Sequence, residues 1–238
     1  MGEKDGHKHV IVIGAGAVGC ALIPMLATLP LDQCSIIDGD TVERSNLKRQ
    51  PLYGPSDIDR LKVEAAAERM RHTATEMKIV PIPQFIGAAN ADELLRGASV
   101  VADCTDDLHA RVLIDRYCEE HELPLVSGSV FTEQFQVLTL HVPLVPRGKG
   151  FGLRDYYPGK IGMDQDGCDM QNVPVMVPNM AAALMAWRIS DLINGGNGGA
   201  DHMDICDLKH GRWMRIAPPQ QPDDPELIAA DQQRIIRG

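Results

Sequence analysis

A glycine-rich turn begins the part of this 238-residue chain whose residue types could do chemistry. The turn, GAGAVG, directly follows the apolar residues 10–13 and opens a segment rich in alanine and leucine. Backbone N–H groups of such a turn, at the start of a helix, bind phosphate groups. A nucleotide site is therefore predicted, with phosphates near Gly14, Gly16, Ala17 and Gly19.

A second group of polar residues follows the next apolar run. Asp38 ends that run roughly 20 residues beyond the glycines, the distance at which a carboxylate holds a ribose hydroxyl. An acid, two amides and a cation then lie within one short segment, at Asp40, Asn46, Arg49 and Gln50. A redox cofactor does not need this set for binding, so the segment indicates chemistry on the nucleotide itself.

Alternating strand and helix patterns position these residues. The predicted strands cover residues 10–13, 35–38, 78–82, 100–103, 125–127 and 136–141. Helices are predicted over residues 56–72 and 106–121, each with polar capping residues at its start. This alternation predicts an α/β fold of the Rossmann-like kind, with a mostly parallel sheet and helices on both faces.

The last third of the chain departs from this alternation. Residues 143–177 are rich in glycine and acids and lack periodicity, which predicts a long crossover loop. An apolar helix over residues 178–193 and a hairpin formed by 203–208 and 212–216 predict an antiparallel C-terminal extension. One domain is expected over residues 1–217, followed by a proline-rich linker and a short helix in 218–238.

Composition excludes several classes of protein. The net charge of −10 and the lack of a Lys/Arg cluster argue against a nucleic-acid partner. No apolar stretch is long enough to span a membrane and the N-terminus lacks a signal peptide's apolar core, so a cytoplasmic protein is expected. The six cysteines form no C-x-x-C pair, so neither a disulfide framework nor a zinc site is expected.

Five segments together resemble the ThiF/MoeB family of ubiquitin-activating-enzyme-like adenylating enzymes: GAGAVG, IDGDTVERSNLKRQ, RLKVEA, VADCTDD and PLVSGS. The resemblance covers about residues 10–193. It implies a homodimer that transfers AMP from ATP onto the C-terminal glycine carboxylate of a small ubiquitin-like protein. It also implies that Asp38 holds the ribose, that Asn46, Arg49 and Lys62 hold the triphosphate, and that Asp106 binds Mg²⁺.

The chemistry of the residues agrees with this resemblance. A carboxylate that attacks the α-phosphate brings two anions together and needs cations more than a base. Arg49 offers a planar fork for phosphate oxygens, and Lys62 a mobile point charge. Asp106 follows an apolar strand at the edge where open α/β sheets bind ligands, and Thr105 and Asp107 beside it are expected to contact the same nucleotide.

Each of these residues also has a simpler structural interpretation. Asp38 could cap the turn that follows it, and Arg49 could form a surface ion pair. Lys62 could be a solvated lysine on a helix face, and Asp106 a helix cap. Because the four stand together in one family's order, coincidence is improbable and the functional interpretation is favoured.

Cys168 is the candidate nucleophile for a second step. In relatives that form a thioester, the cysteine lies in the loop that leads to a late apolar helix, and Cys168 occupies that place. A thioester would conserve the energy of the acyl phosphate for transfer to a conjugating enzyme or sulfur carrier. The alternative is an incidental thiol, because the neighbouring acids Asp164, Asp166 and Asp169 disfavour a thiolate.

The chain departs from the family at several positions. No N-terminal segment that lends an arginine to the partner's ATP site is expected, and no zinc, since the two C-x-x-C pairs common in the family are missing. Ala17 replaces the middle glycine of the turn, and Asp107 an asparagine. The compact form favours a bacterial conjugation or sulfur-transfer pathway.

Other functions use the same residues. One alternative is adenylation of a different carboxylate, on a peptide or a modified tRNA, although the negative charge argues against tRNA. A non-catalytic nucleotide-binding scaffold is disfavoured because it has no need for ligands of Mg²⁺ and triphosphate. An NAD-dependent oxidoreductase is disfavoured because Arg49 and Lys62 have no task in hydride transfer.

Overall fold

An eight-stranded sheet forms the centre of the computed structural model, which describes residues 6–74, 76–143, 152–153, 173–200 and 202–217. In chain order the strands are β1 (His9–Ile13), β2 (Gln33–Ile37), β3 (Lys78–Ile82), β4 (Val100–Asp103), β5 (Leu125–Phe131), β6 (Gln134–Leu140), β7 (Met203–Asp207) and β8 (Arg212–Ile216). Their order in space is β3-β2-β1-β4-β5-β6-β7-β8.

The first five strands are parallel to one another, and the last three are added antiparallel. The strand order reverses at β1, which pairs with β2 on one side and with β4 on the other. This arrangement confirms the Rossmann-like sheet and the antiparallel extension. Ligands of open α/β sheets bind at the carboxyl ends of the strands beside such a reversal.

Helices cover both faces of the sheet. They are α1 (Ala17–Leu26), α2 (Lys62–Met70), α3 (Ala91–Leu95), α4 (Leu108–Glu120) and α5 (Met176–Ile193). Strand β1 has neighbours on both faces, since Val10 and Val12 pack with α1 and α5 while Ile11 and Ile13 pack with α3 and α4. Burial of both faces explains why its sequence is apolar without alternation. Among the helices described, none has both the length and the apolar composition needed to cross a membrane.

Two helices begin later than the sequence predicts. The helix expected from residue 56 begins at Lys62, because Asp57 ends a 3₁₀ turn and Asp59 has a φ of 67°, which interrupts helical geometry. The helix expected from residue 106 begins at Leu108 with Asp107 as its N-cap. Residues 218–238 and most of the predicted crossover loop lie outside the described residues.

A buried carboxylate organises the connection from β2 to α2, which carries Arg49. Asp57 accepts the N–H of Gly54 at 2.8 Å, a guanidinium N–H of Arg69 at 2.6 Å and one of Arg60 at 3.1 Å. Burial works to raise the pKa of Asp57, but these donors outweigh it and hold the pKa below its usual range. The ionised carboxylate therefore stabilises this connection.

Replacing Asp57 by asparagine should lower the free energy of unfolding by about 2 kcal/mol at neutral pH, because an amide donor would face the donors that the carboxylate accepts. The folded-state pKa of Asp57 lies below its unfolded value. Its contribution is therefore full at neutral pH and is lost as the pH falls through the folded-state pKa. Urea unfolding of the wild type and Asp57→Asn, from neutral to acidic pH, measures the difference.

Asp59→Asn is the matched control. It makes the same change of charge at an exposed position whose positive φ an asparagine adopts readily, so its effect should stay within about 0.5 kcal/mol. Equal effects of the two substitutions would contradict the role given to Asp57.

Candidate active site

The glycine turn between β1 and α1 packs so closely against backbone atoms that a side chain has no room at Gly14 or Gly19. Gly14 has a φ of 90°, and a Cβ there would lie 2.9 Å from the carbonyl oxygen of Cys104. A Cβ on Gly19 would lie 1.9 Å from the carbonyl oxygen of Gly14, whereas one on Gly16 would meet no atom within 4 Å. The turn thus requires glycine at two positions and brings the N-terminus of α1 to the carboxyl edge of the sheet.

Asp38 binds this turn from the end of β2. Its Oδ2 accepts the N–H of Ala15 at 2.7 Å, and its Oδ1 accepts that of Asp40 at 2.8 Å. Burial raises the pKa of Asp38, and the charge of Lys62 and the two amides oppose that change. Asp38 therefore caps the turn that follows it, as the simpler interpretation says. This contact does not exclude a role in binding the ribose. Each oxygen keeps a lone pair for a ribose hydroxyl.

Lys62 is buried and ion-paired, so it is not the solvated helix-face lysine of the simpler interpretation. Its Nζ donates to Oδ2 of Asp40 at 2.9 Å, and its backbone N–H donates to the backbone carbonyl of Asp40. The Lys62 side chain is 8% exposed, whereas that of Asp40 is 54% exposed. A phosphate arriving at this edge would compete with Asp40 for the ammonium.

A 3₁₀ turn, Arg44–Lys48, carries Asn46, and Arg49 and Gln50 directly follow it. Asn46 is buried and its Oδ1 accepts the N–H of Glu43 at 3.1 Å. Arg49 is partly exposed and makes one long hydrogen bond, 3.4 Å to the carbonyl of Ser45, which leaves guanidinium donors for a ligand. Gln50 is 3% exposed, and within the described ranges its Oε1 has no partner.

Asp106 is exposed at the edge beyond β4. No hydrogen bond or ion pair engages its carboxylate within the part of the chain that the structure describes. The helix cap is its neighbour Asp107, whose Oδ1 accepts the N–H groups of His109 and Ala110 at 2.7 and 3.1 Å. The alternative of Asp106 as a cap is therefore wrong, and its carboxylate is available to a ligand.

Three buried polar residues below this loop escaped the sequence analysis: Asp103, Arg111 and Ser127. Asp103 ends β4 and forms an ion pair with Arg111 of α4, with 3.3 Å between Nε and Oδ2. Burial raises the pKa of Asp103, while Arg111 and the hydroxyl of Ser127 act in the opposite direction. An acid at the end of an apolar strand was the signal available in the sequence.

The cysteines that the structure describes are buried free thiols: Cys20, Cys34, Cys104, Cys118 and Cys206. Burial raises the pKa of Cys20 and of Cys34 to about 12, and it raises the other three as well. Cys20, Cys34 and Cys104 pack in the apolar core, and none of the five suits a nucleophile. Cys168 lies outside the described residues.

Comparison with known proteins places this geometry in a family. The model of the ThiF family matches residues 3–226, which include every strand and helix named above. The chain belongs to the ThiF family. Lys62, Asp38 and the N-terminus of α1 thus lie together at the carboxyl edge of a ThiF-family sheet, an arrangement suited to a polyphosphate ligand. The loop that carries Asp106 lies beside them, since a Cβ on Gly14 would come within 3.1 Å of the backbone N of Thr105.

Two curated relatives cover different shares of this ThiF-family chain. The adenylyltransferase and sulfurtransferase MOCS3 of Mus musculus is 35% identical over 227 residues, which are 95% of this chain and 48% of that protein. The SAMP-activating enzyme E1 of Haloferax volcanii is 33% identical over 133 residues, 56% of this chain and 49% of that protein. The chain therefore spans about half the length of these relatives.

A solved structure shares the fold at low sequence identity. MccB of E. coli, crystallised with MccA-N7isoASN, aligns with a TM-score of 0.74 at 19% identity and covers 92% of this chain and 66% of its own. At this identity the likeness supports the fold of the ThiF-family chain alone.

Gly19→Ala should lower the free energy of unfolding by about 3 kcal/mol and remove ATP binding, because its Cβ would force α1 away from the turn. Gly16→Ala is the matched control for stability alone, because Gly16 is itself expected to lie beside phosphate, and it should cost no more than about 1 kcal/mol since its Cβ meets no protein atom. Denaturant unfolding measures the stability of both variants, and calorimetric titration measures ATP binding by Gly19→Ala. If the two variants are destabilised equally, the closure of the turn is not what maintains the site.

Proposed function

We propose that this ThiF-family protein adenylates a carboxylate, transferring AMP from ATP and Mg²⁺ onto the C-terminal glycine of a small ubiquitin-like protein. The observation that carries the proposal is the buried Lys62, held beside Asp38 and Asp40 at the mouth of the glycine turn. The names of MOCS3, an adenylyltransferase and sulfurtransferase, and of a SAMP-activating enzyme E1 support it.

The proposed reaction joins two anions without a general base. A carboxylate oxygen attacks the α-phosphorus, the bond from that phosphorus to the oxygen bridging to the β-phosphate breaks, and pyrophosphate leaves with the electron pair. Negative charge grows on the phosphate oxygens, where Arg49 and Lys62 can stabilise it. Asn46 and Gln50 are buried, and the Oε1 of Gln50 has no hydrogen-bond partner among the described residues, so both amides would supply polar contacts to the nucleotide.

Asp106 fits the Mg²⁺ that would accompany ATP. Mg²⁺ is usually bound through one or two carboxylates together with substrate phosphates and water, not in an all-protein cage. The described residues contain no cluster of three or more metal-binding side chains, whereas the Asp106 carboxylate is exposed and unpaired among them. The metal would neutralise phosphate charge, and Thr105 and Asp107 flank it.

An apolar cavity supports an extended protein tail as the acceptor. It has a volume of about 240 Å³ and is lined by Glu133, Pro174, Met176, Val177, Leu208 and Lys209. Glu133 follows β5 and Leu208 follows β7, so the cavity lies at the same edge of the sheet as Asp106. Three strand spacings, roughly 14 Å, separate β4 from β7 across the sheet. Strand β5 also extends four residues beyond Ser127, which pairs with Asp103, so an extended tail would have to cover both distances.

Further partners belong to the same proposal. We propose a homodimer, and the exposed apolar side chains of Met176, Met180 and Trp187 on α5 provide surface for contacts. A conjugating enzyme or a sulfur carrier would receive the activated carboxylate. We propose that the protein is bacterial, that it acts in the cytoplasm and that it does not need zinc.

Asp106→Ala should reduce acceptor-dependent exchange of pyrophosphate with ATP by about 100-fold or more, because the variant loses the carboxylate that would hold Mg²⁺ against the phosphates. Lys62→Gln should produce a loss of similar size. The exchange is measured with radiolabelled pyrophosphate and purified ubiquitin-like proteins that end in Gly-Gly.

Two matched controls accompany this experiment. The same acceptor with a C-terminal amide has no carboxylate to activate and should support no exchange. Asp92→Asn changes an exposed acid on α3, before β4 and away from the carboxyl edge, and should leave the rate unchanged. Exchange that persists with the amidated acceptor would rule out the proposed reaction. A complete lack of exchange with every acceptor tested would rule it out as well. Exchange with free peptides alone would favour the peptide alternative.

Cys168 should accept the activated carboxylate as a thioester. Attack of its sulfur on the acyl adenylate would form the C–S bond and release AMP, so a covalent adduct should run above the protein on a non-reducing gel. The adduct should disappear with dithiothreitol and in Cys168→Ala but persist in Cys206→Ala, whose thiol is buried. Exchange without an adduct would remove the thioester step and leave the adenylation in place.

A further inference from the structure

A buried polar group lies directly beneath the loop that carries Asp106. Asp103 at the end of β4, Arg111 on α4 and Ser127 on β5 form it, and we name these three residues the strand clamp. All three are buried. The proposed adenylation does not use any of them, so their role requires a separate explanation.

The strand clamp binds both the backbone N–H and the backbone carbonyl of Thr105, the residue before Asp106. The N–H of Thr105 donates to Oδ1 of Asp103 at 3.1 Å, and its carbonyl accepts from Nη2 of Arg111 at 2.5 Å. The Thr105 hydroxyl accepts the N–H of Asp107 at 3.1 Å, and Asp107 in turn caps α4. The backbone is thus anchored on both sides of Asp106, which is itself exposed.

Arg111 also donates hydrogen bonds to strand β5. Its Nη1 donates to the hydroxyl of Ser127 at 3.1 Å and its Nη2 to the carbonyl of Gly128 at 3.1 Å. The Ser127 hydroxyl donates to Asp103 at 2.7 Å. A buried ion pair adds little net stability over apolar packing of the same volume, because its charges lose their hydration. The fixed geometry of the guanidinium fork is the better explanation for an arginine here.

We propose that Arg111 is a positioning residue for Mg²⁺: by binding the carbonyl of Thr105 it places the Asp106 carboxylate where the metal and the phosphates of ATP need it. The inference rests on the role proposed above for Asp106. Mg²⁺ demands near-ideal octahedral geometry, so displacing the carboxylate lowers the affinity for Mg²⁺ more than the affinity for ATP. Substitutions of residues that orient metal ligands typically cost about 10- to 100-fold in metal affinity.

The test is ATP binding by calorimetry, in EDTA and over a series of Mg²⁺ concentrations. Arg111→Lys keeps a positive charge beside Asp103 but loses the fork, so it cannot bind Thr105 and Ser127 together. The Mg²⁺ concentration that gives half of the metal-dependent gain in ATP affinity should rise about tenfold. Affinity for ATP in EDTA should change less than about twofold, because the clamp acts on the metal ligand.

Ser127→Ala separates positioning from stability. It removes the clamp's bonds to the β5 hydroxyl and leaves both bonds to Thr105, so it should lower the unfolding temperature without raising the Mg²⁺ requirement. If Ser127→Ala and Arg111→Lys raise the requirement equally, or if Arg111→Lys does not raise it, the proposal is wrong. Should Arg111→Lys not fold, the double variant Asp103→Asn with Arg111→Met removes the ion pair without leaving an unpaired buried charge. It loses the bond to the Thr105 carbonyl and should give the same rise.

Asp106→Asn distinguishes this proposal from the proposed function. It should abolish the metal-dependent gain in ATP affinity. If that gain survives in Asp106→Asn, both the metal ligand and its positioning by Arg111 are wrong. If Mg²⁺-dependent ATP binding follows the expected pattern but no acceptor supports pyrophosphate exchange, only the adenylation reaction fails.

Discussion

The contact between Gly19 and the carbonyl of Gly14 is the constraint on which the rest of the site depends. A Cβ at Gly19 would lie 1.9 Å from that oxygen, so α1 can start where it does only with glycine there. In the same turn the N–H of Ala15 donates to Asp38, and the carbonyl of Ala15 accepts the hydroxyl of Tyr53. Neighbouring segments are thus positioned by one tight loop.

Electrostatics at this edge follow from partial burial. Lys62 is buried but pairs with the half-exposed Asp40, so this ion pair is not fully desolvated. Asp106 instead is exposed, above a buried ion pair that anchors its loop. The loop that carries Asp106 is therefore supported by structure that a ligand would not touch.

The sequence was informative wherever a short segment forms its own contacts. The apolar run of β1 and the turn GAGAVG are adjacent in the chain, and the structure places them as expected. Asp38 was found by its spacing from the glycines, although its bond to Ala15 spans 23 residues. The sequence misplaced the starts of α2 and α4 because the deciding contacts are specific: Asp57 is bound by Arg69, twelve residues away, and Asp107 outcompetes Asp106 for the cap. Helix propensity alone carries neither contact.

By itself, then, the sequence determined the fold class, the family resemblance and the residue types at the site, because local periodicity and short motifs encode them. Only the tertiary structure decided the states of those residues: Lys62 paired instead of solvated, Asp106 free instead of capping, and Arg111 beneath the loop. These states depend on contacts between β4, β5 and α4 and between the β2–α2 connection and its own helix. Such contacts arise only when the sheet brings distant segments to one edge, and no spacing along the chain records them.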